Sequence, residues 1–404
     1  MGAGPFASAV LRTVGVSPVP PPCRGSPRTL RTMAATNTPV LSTRALNRAT
    51  LERQLLLRRA AVPVREAVGL LVGLQAQNTR PPYFQLFSRL EGFDPAALSA
   101  LMESREVVRI VTLRSTIHTH TAEDALTLRP LVQPARDREL HMFRSGLTGV
   151  DLDRLASLAR ELVEERPRTM KELREELLVH WPDADPRALA VAARCRLPLV
   201  QVTPRGLWGR SGQVALTTAE HWLDRPPQPA ATPDATVLRY LRAFGPASVK
   251  DMQTWAGLTR MREVFDRLRP GLVTFRDEHG VELFDLPDAP RPDPGTPAPA
   301  RFLPEFDNLL LGHADRTRVI TPAFKGRNGV GNQSYGTVLA DGFLAALWRL
   351  DATGDTAVVT VQALGRLDRA TREEITREAV ELLTVMSPAP AYDVRFATFV
   401  DFED

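Results

Sequence analysis

The spacing of apolar positions changes several times along the chain, and each change marks an element. Residues 232–287 show this most clearly. Val237, Leu238, Leu241 and Phe244 recur at helical spacing over 235–244, Ser248 stands where a second helix through Trp255 needs a cap, and Thr259 where a third through Leu268 does. After Gly271 the period drops to two. Residues 272–275 and 281–284 flank Asp277-Glu278-His279-Gly280, which reads as a hairpin closed by a Gly-containing turn. Three helices and then a hairpin is the element order of a winged helix.

The stretch before it repeats the order. An amphipathic helix is predicted over 152–165, Thr169 caps a second, and Asp185-Pro186 opens a third through Ala193. A wing follows, with strands at 199–202 and 207–209 joined by Thr203-Pro204-Arg205-Gly206. Upstream, helices are expected over 48–59, 64–75, 82–90 and 95–103, with a strand pair around 107–121. Beyond 300 the class changes: strands at 302–311, 335–341, 343–350, 357–363 and 392–400, and one helix over 370–385. The fold class is therefore α+β. About three tandem winged-helix motifs, at 43–150, 151–228 and 232–286, precede a small β-rich C-terminal domain at 300–404, with the Pro-rich segment 287–299 as a stiff linker. Residues 1–32, with clustered prolines and no apolar period, read as a disordered or mis-called extension ahead of a start at Met33.

Composition narrows the function. A chain of 404 residues, 43% hydrophobic and 24% charged, is long enough for several cores and has the balance of a soluble protein. No stretch approaches the roughly eighteen apolar residues of a membrane span. Cys23 and Cys195 cannot build a disulfide framework, so a reducing, cytoplasmic compartment is expected, with nucleoid association only if the resemblance described below, which implies DNA binding, holds. The net charge of +4 lies wholly in residues 1–32, because from Met33 onward 47 basic residues meet 47 acidic ones. Bulk charge thus points to no partner. Lysine is confined to Lys171, Lys250 and Lys325, a bias expected of a GC-rich bacterial genome. Locally, Arg187, Arg194, Arg196, Arg205 and Arg210 occur between Pro186 and Ala219 with no acid among them, where a third helix and wing would meet a phosphate backbone. A solvated face of an Arg-rich chain reads the same way.

Familiar catalytic motifs are missing: no HExxH, no CxxC, no P-loop and no strand-anchored GxGxxG. His118 and His120 alternate on a predicted strand and could share a metal, but no third ligand accompanies them, so neither a metal nor another cofactor is assigned. One constellation stands out, Gly73-Leu74-Gln75-Ala76-Gln77-Asn78 ahead of Pro81 and Pro82. Side chains two apart diverge on a helix and converge only where it ends and the backbone extends. On residues alone, such a pair is a set of carboxamides satisfying frayed helix carbonyls.

Four strings, LNRATLERQLLL, LVGLQAQNTRPPYFQLFSRLEGFDPAAL, LRSTIHTHTAEDALTLRPL and FLPEFDNLLLGHADRTRVI, resemble the bacterial winged-helix DNA-binding family that includes the AlkZ-type DNA glycosylases, over roughly residues 43–400. That resemblance implies tandem winged helices, a β-rich C-terminal domain and removal of N3- or N7-alkylated purines, in some members with unhooking of interstrand crosslinks. The family's Gln-x-Gln signature falls on Gln75 and Gln77. A sister group carries Asp at the second position, which this chain does not. His118 lies in an Arg-x-Thr-x-His stretch resembling one of the family, where it would hold a phosphate or the water, or simply be bonded within the first unit; here Ser115 stands where Gly is expected. The implied partner is alkylated or crosslinked double-stranded DNA, met by a monomer with no membrane contact. A non-catalytic winged-helix DNA-binding or regulatory protein, with the glutamines structural, is the alternative, and an interaction protein independent of nucleic acid is a third.

Overall fold

The computed structural model describes residues 38–330 and 333–402, so the expectation for residues 1–32 lies outside it. Strand β1 (Val40–Leu41) leads into α1 (Thr43–Arg53), then α2 (Val64–Leu70), β2 (Leu74–Gln75), α3 (Pro81–Phe87) and α4 (Pro95–Glu103). The hairpin β3 (Val107–Val111) and β4 (Ile117–Thr121) is followed by α5 (Ala122–Leu131), α6 (Gln133–His141), α7 (Leu152–Glu165), β5 (Arg168–Thr169), α8 (Met170–His180), α9 (Pro186–Arg196), β6 (Leu199–Gln201), β7 (Ala215–Thr218) and α10 (Ala219–Leu223). Next come α11 (Pro233–Phe244), α12 (Val249–Ala256), α13 (Arg262–Leu268) and the hairpin β8 (Val273–Asp277) and β9 (Glu282–Asp285). The last part holds β10 (Arg301–Leu303), α14 (Asn308–Leu311), β11 (Gly329–Val330), β12 (Gln333–Ser334), β13 (Gly336–Ala340), β14 (Phe343–Thr353), β15 (Thr356–Ala363), α15 (Arg369–Met386) and β16 (Ala391–Phe396).

Local signals explain most boundaries. Asp94 caps α4 through Ala96 N–H with Pro95 at the first helical position, and reciprocal capping boxes start α8 (Thr169 with Glu172) and α12 (Ser248 with Asp251). Elsewhere tertiary contacts win. Helix α13 starts at Arg262 with no side-chain cap, so Thr259 does not serve as one. The helix expected over 48–59 runs only to Arg53. Of the strand expected over 302–311, Arg301–Leu303 is strand and Asn308–Leu311 is a short helix capped by Asp307. The wing strand expected at 207–209 is a turn, because Gly206 takes φ +101° and Trp208 packs on Tyr83 with ring centroids 4.8 Å apart; the partner of β6 is Ala215–Thr218.

Four sheets form among the described residues, one of them the two-stranded pair β11-β12. The largest has the order β2-β4-β3-β6-β7-β5, so it runs from the glutamine segment of the first part into the strands that flank α8 and α9. Another is β10-β13-β14-β15-β16, antiparallel until the parallel last pair, and the remaining one is β1-β8-β9. One core joins Leu74, Tyr83, Phe84 and Phe87 to Phe302, Trp348 and the apolar face of α15; another joins Val72 and Leu113 to Val237, Phe244 and Trp255. The segment between α2 and β2 therefore lies where two cores meet, with Val72 serving one and Leu74 the other. Among the described residues, no helix is long and apolar enough to cross a membrane.

Candidate active site

Helix α2 stops five residues short of Gln75, and its end is a Schellman motif: Gly73 N–H bonds Val68 O at 2.9 Å and Val72 N–H bonds Gly69 O at 3.2 Å. The left-handed position after the cap is normally glycine, yet here it is Val72, at φ +55°, followed by Gly73 at +86°. Burial of Val72 and Leu74 in their separate cores holds this strained turn. No side chain fits at Gly73, because a Cβ would lie 2.3 Å from the His120 ring. The backbone then extends, so the expectation that Gln75 ends a helix is replaced by a short strand, and Gln75 pairs with His118 in antiparallel register. Asn308 locks the turn from the other side, its amide donating to Gly73 O at 2.7 Å.

Extended backbone puts Gln75 and Gln77 on one side. Gln75 is 5% exposed, and Gln77 and Asn78 are exposed. Gln75 Oε1 accepts from Arg114 Nη2 at 2.7 Å, leaving its NH2 group without a partner among the described residues. Gln77 Oε1 takes a long bond from Ile117 N–H at 3.4 Å, which an incoming group can replace.

Arg114 is the residue sequence reasoning missed. It sits at φ +53°, its other Nη donates to Trp255 O at the end of α12, and burial, with nearby Arg316, lowers its pKa to about 10. The same Nη2 also reaches His118 Nε2 at 3.2 Å. Arginine only donates, so this Nε2 accepts; His118 Nδ1 faces Thr116 O at 3.0 Å and must carry the proton. Burial, then Arg114 and His120, push the His118 pKa well down, so this histidine is neutral. It is 1% exposed and contacts Gln75 through the guanidinium. The only available signal was Ser115, which adopts φ +58° where the resemblance called for glycine.

The stacked rings of His118 and His120, 5.4 Å apart, have no acidic partner set, and no group of three or more metal-binding side chains exists among the described residues. The five arginines part company. Arg194 pairs with Glu139 and Arg196 with Asp153, acids supplied by α6 and α7; Arg187 is exposed with its guanidinium over Phe143. Arg205 and Arg210 belong to the 203–212 turn. That turn abuts the glutamine segment, since Tyr83 donates to Gly206 O at 2.8 Å and Arg109, whose pKa burial and Arg205 lower to about 10, donates to Ala76 O at 2.8 Å. Beside Asn78 opens a cleft of about 450 Å³ lined by Arg80, Phe84, Glu305, Tyr335 and Trp348.

Residues 68–385 match a family model described as DNA glycosylase AlkZ-like. Among solved structures, the chain is similar to the Streptomyces sahachiroi DNA glycosylase AlkZ, with a TM-score of 0.73 and 18% identity over 89% of this chain and 100% of that one, a likeness of fold. No curated protein sequence matches it.

Proposed function

The chain belongs to the AlkZ-like DNA glycosylase family, and from that premise we propose that it hydrolyses the N-glycosidic bond of N3- or N7-alkylated purines in duplex DNA, crosslinked purines included. One observation carries this reading: Gln75 and Gln77 lie side by side next to the cleft that opens at Asn78, with the Gln75 carboxamide held by Arg114 and that of Gln77 exposed. Alkylation at N3 or N7 makes the base cationic, so it leaves without a strong general acid. What remains is to stabilise positive charge on the sugar and to place water. The Gln77 oxygen does both, aiming its dipole at the sugar and accepting a hydrogen bond from the water. His118, buried and neutral, steadies Arg114 and does not touch the phosphate or the water. Lys250 and Lys325 line a different cleft and Lys171 lies on α8 beside Glu175, which supports hydrolysis over an amine-dependent lyase step.

The helix, helix, helix, hairpin order of 233–285 supports a winged-helix reading there. Phosphate contact in the second unit falls first to Arg205 and Arg210, next to the glutamine segment, then to Arg187, and least to the ion-paired Arg194 and Arg196. The protein is expected to act as a monomer. Incubation with N7-methylguanine duplex followed by alkaline cleavage tests the reading. Strand breaks support it, whereas intact DNA with a mobility shift supports a non-catalytic DNA-binding protein instead.

A further inference from the structure

The Gln-x-Gln pair brings dipoles to a reaction that develops a full positive charge and consumes a water, and among the described residues no carboxylate bonds to either glutamine. One stands a residue away. Asn78, next to Gln77, donates from Nδ2 to Glu305 Oε1 at 3.0 Å. Glu305 is half-buried, faces the cleft beside Asn78, and is the only acidic side chain among the described residues that line it. In a chain whose acids are widely paired with arginine, Glu305 makes no ion pair among the described residues. Arg80, whose charge it feels, is held elsewhere. Burial lowers the Arg80 pKa and the Glu305 charge partly restores it, but the guanidinium stacks over Phe84 and Trp208, 5.5 Å from each ring centre, and forms no bridge.

The segment carrying Glu305 is rigid. Phe306 is held at φ +59°, Asp307 forms a buried bidentate pair with Arg89 at 2.8 Å, and Asn308 grips the turn that precedes β2. Both the carboxylate and the glutamine segment are thus fixed to one another by Asn78 and Asn308, the arrangement a preorganised site requires.

We propose that Glu305 is the catalytic carboxylate of this site, an inference that rests on the glycosylase reading above. As the glycosidic bond lengthens, its electron pair goes to the cationic base, which departs neutral. Water oxygen bonds to C1′ of the sugar and its proton passes to Glu305, whose negative charge also stabilises the sugar cation. Asn78 is a positioning residue that aims the carboxylate.

The test is single-turnover base release from an N7-methylguanine duplex with wild type, Glu305→Gln and Glu305→Asp. Glu305→Gln should lower the rate about a hundredfold. Duplex affinity and melting temperature should be unchanged. Glu305→Asp should restore part of the rate. An active wild type with Glu305→Gln within threefold of it overturns this proposal alone, whereas a wild type that releases no base overturns the parent reading and this one with it.

Discussion

Replacing Gln75 with alanine should cost stability as well as activity, and the contacts set the size. Gln75 is 5% exposed, and its Oε1 takes the 2.7 Å bond from Arg114. Removing the acceptor deletes a hydrogen bond to a charged group, about 1.5–3 kcal/mol. The void left by the shortened side chain adds on the order of 1 kcal/mol. Against this, Arg114 keeps Trp255 O and His118 Nε2 as partners, so its charge is not orphaned and the bond term falls at the low end. The expected total is about 2–3 kcal/mol. Gln77→Ala removes an exposed side chain whose one bond is 3.4 Å long, and should stay within about 0.5 kcal/mol of wild type. Urea denaturation of the three proteins, followed by far-UV circular dichroism, measures both differences. Equal midpoints for the two alanine variants would refute the idea that Gln75 is held by a buried guanidinium.

Gly73→Ala, forced against the His120 ring at φ +86°, should destabilise by about 3 kcal/mol or more and displace Gln75; a variant as stable as wild type in the same urea series contradicts the turn geometry. Ser115→Gly relieves a left-handed residue at φ +58° and should gain about 0.5–1 kcal/mol, whereas a loss would mean the Ser115 side chain matters more than its backbone. Burial holds His118 well below its ordinary pKa and His120 at about 4, so the unfolded chain binds more protons below pH 6.5. Stability present above that pH should therefore fall as pH drops from 6.5 toward 4, by about 1.4 kcal/mol per histidine per unit; a flat profile between pH 6.5 and 5 denies their burial. Affinity for undamaged duplex should fall with salt, each phosphate contact adding about 0.9 to the log-log slope. Changing Arg205 and Arg210 to Ala should shallow that slope more than changing the ion-paired Arg194 and Arg196, and the reverse order would move the DNA surface elsewhere.

Where a boundary is written in a few neighbouring residues, the sequence suffices. Ser248 and Asp251 box the start of α12, Asp94 and Pro95 start α4, and the turn at Asp277-Glu278-His279-Gly280 closes β8 on β9. The end of α2 was not legible, because a helix end is normally announced by glycine at its left-handed position and here Val72 occupies it, held by a core built from Val237, Phe244 and Trp255 far along the chain. Trp208 looks like a strand residue and instead plugs the side of α3. The site divides the same way. Gln75 and His118 were singled out, Gln75 by its spacing and the resemblance and His118 by its alternation, but not their meeting across a ladder. Arg114 and Glu305 were not singled out, since a residue beside a strained turn has no period to betray it. The acid-free stretch around Arg194 and Arg196 was acid-free only in sequence, for α6 and α7 bring Glu139 and Asp153 to it.

The central claim, that the glutamine pair performs base release, is tested most directly by single-turnover kinetics of Gln77→Ala and Gln77→Asp on an N7-alkylated duplex. Gln77 is exposed, so neither change should disturb the fold. Losing one preorganised polar contact to a charged transition state removes about 3–4 kcal/mol, a hundredfold or more in rate. Gln77→Ala should show that loss with duplex affinity intact, while Gln77→Asp, which puts a carboxylate in its place, should retain or exceed wild-type activity. A wild-type rate in Gln77→Ala would leave the pair a structural element of the turn and contradict the account.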